Sequence, residues 1–435
     1  MRLRARWAPT ALLLLIPLIS ANTGTAQATP EPQQSLVPVG RSAHAVPGQY
    51  IVTLRPAFSA SSVLRQLRLK PLFSYGSALR GFAADLTPDQ LRVVRAFPAV
   101  QAVEENGSLG LGLPGASEPG AEGTETGART GTETGARTGA AAGARTGQVP
   151  SGTTRAAKGL VKAESWGLDR IDQRYLPLDG QFTVKGTGKG VTAYIVDTGI
   201  ETANSEFGGR ATVGFDAVND GRNGQDCHFH GTHVAGTTGG ETYGVARDVS
   251  LVSVRVLDCE GQGSTAQVIA GFDWVAANAK QPAVLNASVG GDASQALDDA
   301  ANAVADMGVL PVVAAGNDAK DACGASPARA TKAVTVGATD QDDHQATFSN
   351  FGTCLTTYAP GVAIVSANLG GGSRTLNGTS MASPHVAGVV ALLKEKYPKA
   401  APADVTRWLT GTSTKNVVSP IGTGSPNRLL YTGGL

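Results

Sequence analysis

The chain has 435 residues, of which 41% are hydrophobic and 16% charged, a balance that permits two or three folded units with a sizeable core. A formal net charge of +1 and the lack of a dense Lys/Arg run give no electrostatic footing for nucleic acid or an anionic membrane as a partner.

The first segment carries Arg2, Arg4 and Arg6, then an apolar stretch from Ala11 to Ile19, then the small-residue site Ala26-Gln27-Ala28. This is the pattern of a secretory signal over residues 1–28, and its apolar part is too short to span a bilayer comfortably. The expected destination is extracellular. Oxidising surroundings favour disulfides over thiols for Cys227, Cys259, Cys323 and Cys354, and the sequence leaves all pairings open.

A small α+β unit is expected from about Gly48 to Asn106. Residues 49–54 alternate as a strand does, and Gly81 to Leu86 offers a second strand. Thr87, Pro88 and Gln90 then supply an N-cap, a first helical position and a capping-box partner, with Leu86 and Leu91 as the flanking staple. Pro98 ends that helix, and Val100 to Val103 offers a final strand. From Gly107 to residue 160 the composition turns to Gly, Ala and Thr, and the octad Gly-Thr-Glu-Thr-Gly-Ala-Arg-Thr occurs at 123–130 and 131–138. So few large apolar side chains cannot offset the entropy of ordering, so this stretch reads as a flexible linker.

Residues 161–435 form the largest unit. The β-branched runs Val191–Val196, Val249–Leu257, Ala283–Val289 and Val309–Ala315 suit strands buried on both faces, and helical spacing appears at 265–279 and 296–307. The alternation predicts an α/β fold, a doubly wound and mostly parallel sheet with helices on both faces and a site at the C-terminal strand ends.

Four segments carry chemistry. Asp197 ends the first strong strand in Ile-Val-Asp-Thr-Gly, and no second Asp-Thr-Gly exists to build an aspartic dyad. His230 opens His-Gly-Thr-His-Val-Ala-Gly at a helix start, with His233 one turn on as a structural residue. His228, His230 and His233 also spell a zinc-like cluster, which would need a further ligand. Ser380 lies in Asn-Gly-Thr-Ser-Met-Ala-Ser-Pro-His, at a helix N-terminus whose N–H groups point toward any oxyanion formed beside it. An α/β-hydrolase elbow would need its Asp and His after this serine, and that order fails. Asn317, after Ala314-Ala315-Gly316 at a strand end, supplies an amide donor.

In the order Asp, His, Asn, Ser, these segments resemble the subtilisin-type serine proteases, and most closely the proteinase K branch with its aqualysin-like secreted members. Residues 48–106 resemble the family's inhibitory propeptide. The resemblance implies a propeptide over 29–106 that blocks the cleft and is removed autocatalytically, polypeptide substrates, a monomer, and no catalytic cofactor. It implies Ser380 as nucleophile, His230 as base, Asp197 as its orienting partner and Asn317 in the oxyanion hole. Ser288, Val289 and Gly290 would wall the first specificity pocket, Ala314, Ala315 and Gly316 the opposite side, and Gly261 the second peptide-binding edge. With no charged residue in these walls, broad cleavage after apolar or aromatic residues is expected. Pairs Cys227–Cys259 and Cys323–Cys354 are implied too, as is a structural calcium at Asp169, Asp172, Gln173 and Asp179. Thr356 departs from a calcium-binding Asp of proteinase K, and His228-Phe229 stands where the family leads one to expect Asn-Gly.

Overall fold

The structure, a computed structural model, describes residues 36–112 and 161–435. The expected signal segment and residues 113–160 of the expected linker lie outside the described residues.

Residues 36–112 fold as β1 (Val39–Gly40), β2 (Ala45–Leu54), α1 (Ala60–Leu67), β3 (Phe73–Tyr75), β4 (Gly81–Asp85), α2 (Pro88–Ala96) and β5 (Val100–Gly110). The strands lie in the order β1-β5-β2-β4-β3. Helix α2 starts as its sequence predicts: Gln90 N–H donates to Thr87 Oγ1 at 3.3 Å, and Thr87 N–H donates back to Gln90 Oε1 at 2.9 Å. The period of two then sends alternate side chains to different partners. Val52, Leu54, Phe82 and Ala84 pack with Val63, Leu64 and Val94 of the two helices, whereas Ile51 and Ala83 join the core of the larger unit.

Two boundaries differ from the sequence expectation. The unit begins earlier than Gly48, since β1 pairs in parallel with β5. It also ends later than Asn106, because β5 runs on through Gly107 to Gly110. The Gly-rich composition that suggested a linker from Gly107 is offset here by burial of Leu109 and Leu111 against the larger unit.

The larger unit opens with β6 (Val161–Lys162), α3 (Trp166–Asp172) and β7 (Gln181–Phe182). There follow β8 (Thr192–Asp197), β9 (Ala211–Asp216), α4 (His230–Gly239), β10 (Ser250–Arg255), β11 (Gln262–Ser264), α5 (Thr265–Asn278), β12 (Ala283–Ala287), β13 (Gly291–Asp292), α6 (Gln295–Asp306) and β14 (Leu310–Ala314). The rest is β15 (Ala325–Ser326), β16 (Val334–Thr339), β17 (Thr357–Pro360), β18 (Ile364–Ala367), β19 (Ser373–Leu376), α7 (Thr379–Lys396), α8 (Pro402–Thr412), β20 (Thr414–Lys415) and β21 (Arg428–Leu429).

Nine strands make one sheet in the order β20-β21-β17-β16-β14-β12-β8-β10-β9, parallel except for the β20–β21 edge pair. Both faces are covered, which is why its strands read as unbroken apolar runs. Ala193 and Ile195 of β8 face the cluster that holds Val234 of α4 and Val386 and Val390 of α7. Tyr194 and Val196 face the cluster that holds Val268 and Phe272 of α5 and Leu297 and Val304 of α6. The chain builds outward from β8 in both directions, and that reversal opens a crevice beyond its C-terminal end, where Asp197 sits.

Candidate active site

Asp197 closes β8, His230 opens α4, and Ser380 lies in the first turn of α7. The helix and strand ends thus bring together three residues separated by 183 positions of sequence, and all three are buried. His230 Nδ1 lies 2.7 Å from Asp197 Oδ1. An ionised carboxylate only accepts, so Nδ1 carries the proton and Nε2 is left as the basic nitrogen. Nε2 is buried without a partner among the described residues. Ser380 Oγ donates to the Ser288 carbonyl at 3.3 Å.

Side chains that the sequence reading passed over hold this arrangement. Asp226, buried before α4, accepts from His228 N–H (2.8 Å), Phe229 N–H (3.1 Å), Thr232 N–H (2.9 Å), Thr232 Oγ1 (2.7 Å) and Thr198 Oγ1 (2.9 Å). It ties the start of the His230 helix to the residue after Asp197. Gly231 fits closely there: a Cβ would stand 2.1 Å from the Gly199 carbonyl oxygen. On the serine side, Ser383 Oγ donates to Asn286 Oδ1 (2.7 Å), Asn286 Nδ2 to Ser288 Oγ (2.9 Å), and Ser288 Oγ to the Ser380 carbonyl (2.9 Å). An acid four residues ahead of a helical histidine was the one signal for Asp226; nothing local marks Asn286.

The zinc-like histidines do not converge. His230 is committed to Asp197, while His233 Nε2 lies 3.1 Å from the carbonyls of both Ile364 and Arg374. Burial, then the neighbouring His230, pushes the His233 pKa down to about 3, in keeping with a structural imidazole. His228 stacks on Phe229 with ring centroids 4.2 Å apart, and Arg374 covers the far side of Phe229 at 3.9 Å.

The end of β5 lies in the cleft. Ser108, Leu109 and Gly110 pair antiparallel with Ser264, Gly263 and Gln262 of β11, and Gly110 also bridges to Gly290. Gly290, in the expected wall segment Ser288-Val289-Gly290, therefore borders a bound strand; in the other expected wall, Ala314-Ala315-Gly316, the Ala315 carbonyl accepts from Asn350 Nδ2 at 2.9 Å. Gln262 to Ser264 pair with the bound strand along the other edge, and the expected edge residue Gly261 adjoins them. Gly261, at φ +72°, leaves room for Leu111, whose Cδ1 would lie 2.8 Å from a Cβ there. Asn317 Oδ1 accepts from Thr379 N–H (2.8 Å) and Thr379 Oγ1 (2.9 Å), which turns Nδ2 outward to donate to the Gly112 carbonyl at 3.0 Å.

The small unit is fastened at the helix starts of the large one. Asn106 Oδ1 accepts from Ala266 N–H at 2.9 Å on α5, and Glu104 accepts from Ala296 N–H at 3.0 Å and Ser294 Oγ at 2.7 Å on α6. Asp273 of α5 in turn accepts from the N–H groups of Ser77 and Ala78, each at 2.7 Å.

The cysteines pair as Cys227–Cys259 and Cys323–Cys354. Of the expected calcium ligands, Asp169, Asp172 and Asp179 gather beside α3, each accepting backbone N–H groups. Burial, opposed by the Thr183 N–H and reinforced by the charges of Asp169 and Asp179, lifts Asp172 to about 6. Gln173 donates its amide N–H to the Pro177 carbonyl at 2.8 Å. These oxygens suit a hard cation, which would relieve the mutual repulsion.

Comparison with known proteins gives concordant matches. Residues 188–429 match the subtilase family model, and residues 49–111 match the peptidase inhibitor I9 model. The chain is 56% identical over 270 residues to the extracellular serine proteinase of Thermus sp. (strain Rt41A), covering 62% of this chain and 66% of that protein. It is 42% identical to the alkaline serine exoprotease A of Vibrio alginolyticus over 85% of this chain and 61% of that one. The chain thus spans just under two thirds of the length of these two relatives. Against the cuticle-degrading protease of Metarhizium anisopliae the match is 34% over 98% of this chain and 99% of that protein. A crystal structure of a cold adapted subtilisin-like serine proteinase superposes with a TM-score of 0.61 at 49% identity, covering 62% of this chain and 99% of the other.

Proposed function

Since the chain belongs to the subtilase family, we propose that it is a secreted serine endopeptidase, made as a precursor whose N-terminal domain blocks the cleft and is removed autocatalytically. The observation that carries this reading is the buried His230–Asp197 pair at 2.7 Å, set beside Ser380 and the Asn317 amide at the end of a strand-binding cleft.

In this mechanism Ser380 Oγ turns from the Ser288 carbonyl, gives its proton to His230 Nε2 and attacks the scissile carbonyl carbon. Asp197 fixes the imidazole through Nδ1 and stabilises its charged form. Asn317 Nδ2 and the Ser380 N–H hold the oxyanion, and His230 returns the proton to the leaving amine. Loss of the Asn317 amide lowers turnover by about 10²–10³-fold, the magnitude established for the equivalent donor of subtilisin. The uncharged walls favour broad cleavage after apolar or aromatic residues. No catalytic cofactor enters; Asp169, Asp172, Gln173 and Asp179 would hold a structural calcium, and the working form is a monomer. Residues 1–28 act as the secretory signal.

The test is a fluorophosphonate probe applied to the secreted, processed protein, followed by mass mapping. Labelling at Ser380 that disappears in His230→Ala supports the reading. A folded, processed sample that takes no label at Ser380 contradicts it.

A further inference from the structure

The small domain does more than cover the cleft: its last described residues lie in it as a substrate would. Residues 108–110 are hydrogen-bonded to β11 on one side, and Gly110 bridges to Gly290 on the other. Side chains alternate along this strand, so Leu109 and Leu111 are buried in the larger unit while Gly110 falls between them. Two residues beyond Gly110, where the pairing with β11 ends, comes a carbonyl that meets the oxyanion amide: Gly112 O accepts from Asn317 Nδ2 at 3.0 Å. Asn317 is not free to choose another acceptor by rotation, because Thr379 fixes its Oδ1 through two donors.

We propose that the first self-cleavage breaks the peptide bond that follows Gly112, leaving a fragment that ends Leu109-Gly110-Leu111-Gly112 and a new N-terminus at Leu113. This deepens the peptidase reading above and rests on it. Ser380 Oγ adds to the Gly112 carbonyl carbon, and its proton passes through His230 Nε2 to the amide nitrogen of residue 113 as the C–N bond breaks. Water then hydrolyses the ester, giving a Gly112 carboxylate and returning the proton to Ser380.

The expected boundary at Asn106 does not fit this geometry. Asn106 is buried, with its side chain engaged by Ala266 N–H and Gln49, and it lies six residues upstream of Gly112, four of them along β5 to Gly110. At about 3.3 Å per residue the strand alone carries the chain about 13 Å on from Asn106 before it reaches Leu111 and Gly112. Cleavage after a glycine also departs from the apolar preference expected for other substrates. Here the strand pairing and the two leucines hold the bond in place, so the residue at the cut need not supply binding through its side chain.

The full precursor, Ser380→Ala and Gly112→Pro are to be refolded and sampled from the first minutes, with intact-mass and N-terminal analysis of each fragment. The wild type is expected to give first a fragment ending at Gly112 together with a chain beginning Leu113-Pro114-Gly115, at a rate unchanged by tenfold dilution. Ser380→Ala is expected to stay whole. In Gly112→Pro the ring fixes φ near −65°, whereas Gly112 has φ +51°, so the cut at this bond is expected to be lost. A first fragment ending at Asn106 or within residues 113–160, from a precursor whose Ser380 is active, overturns the proposal and leaves the peptidase reading intact. A wild type that is neither cut nor labelled at Ser380 by a fluorophosphonate sinks that reading, and the proposal with it.

Discussion

Asp226 shows how a residue outside the triad governs it. Its two carboxylate oxygens accept from five donors on the segments that carry Asp197 and His230. Asp226→Asn replaces one oxygen by an NH₂ group facing N–H donors, which misplaces His230 without touching the substrate strand. Steady-state kinetics on a small peptide should show kcat lowered by about 10–100-fold with KM little changed, the pattern of a lost transition-state interaction. A second buried pair bears on stability alone. Arg170 and Asp343 meet through two bonds of 2.6 and 2.9 Å, with the guanidinium fully buried. Asp343→Ala strands that cation and is expected to cost about 3–5 kcal/mol, read from the denaturant midpoint. The proposed catalytic residues Asp197, His230 and Ser380, and Asn317, could be named from the sequence because their residue types occur in a fixed order at strand ends and helix starts. Asp226, Asn286 and Asn350 were not, since each also bonds to a segment distant in the chain: Thr198, Ser383 and Ala315 respectively.

Among the elements, those with strong local signals were read correctly, including the capping box of α2 and the buried strands β8, β10, β12 and β14. Helix α1 was missed because 8 residues carry too little periodicity to stand out. Gly107 to Gly110 was misread because its strand state comes from a partner edge and not from its own composition. The Cys227–Cys259 bridge fastens the loop before α4 to the turn before β11, closing a loop of 32 residues. Replacing both cysteines by serine should lower stability by about 3–4 kcal/mol on the chain-entropy model, measured by chemical denaturation. Beside α3, Asp172 titrates at about 6 when folded, against about 3.9 for a free Asp side chain. A raised carboxylate pKa favours the folded state below the unfolded value and loses that contribution as pH rises through 6. If calcium binds there as proposed, it would replace the proton as the neutralising charge and should raise the melting temperature more at pH 8 than at pH 5. Scanning calorimetry with and without chelator checks this, and Asp172→Asn should blunt the difference.

For the whole molecule, buried bases shape stability against pH. Burial holds His385 at about 4 and, with the charge of His230, His233 at about 3, so the unfolded chain takes up these protons first as pH falls below 6.5. Stability should decline steadily between pH 6.5 and 4. Lys394 is buried with the Gly308 carbonyl, at 2.9 Å, as its only partner among the described residues, and burial lowers it to about 8. Its unfolded state binds the extra proton between pH 8 and about 10.5, so the cost is full below 8 and fades toward 10.5. Lys394→Met should gain on the order of 2 kcal/mol at pH 7 and nothing near pH 10.5, as unfolding midpoints across that range would reveal. The doubly wound sheet was readable from alternation of strand and helix, but the seating of the small domain was not, because Glu104, Asn106 and Asp273 look like ordinary surface polar residues until the two units meet.

Strand β5 belongs at once to the hydrophobic core of the small domain and to the cleft of the large one. Cutting the bond after Gly112 would free the chain end but not withdraw it, since β5 stays anchored through β1 and β2. On that proposal the plug would leave only when the small domain melts, and the molecule would act as a thermal latch. The onset of activity on warming should track the unfolding of residues 36–112, and a substitution that loosens their core, such as Val52→Ala, should shorten the delay without altering the released enzyme.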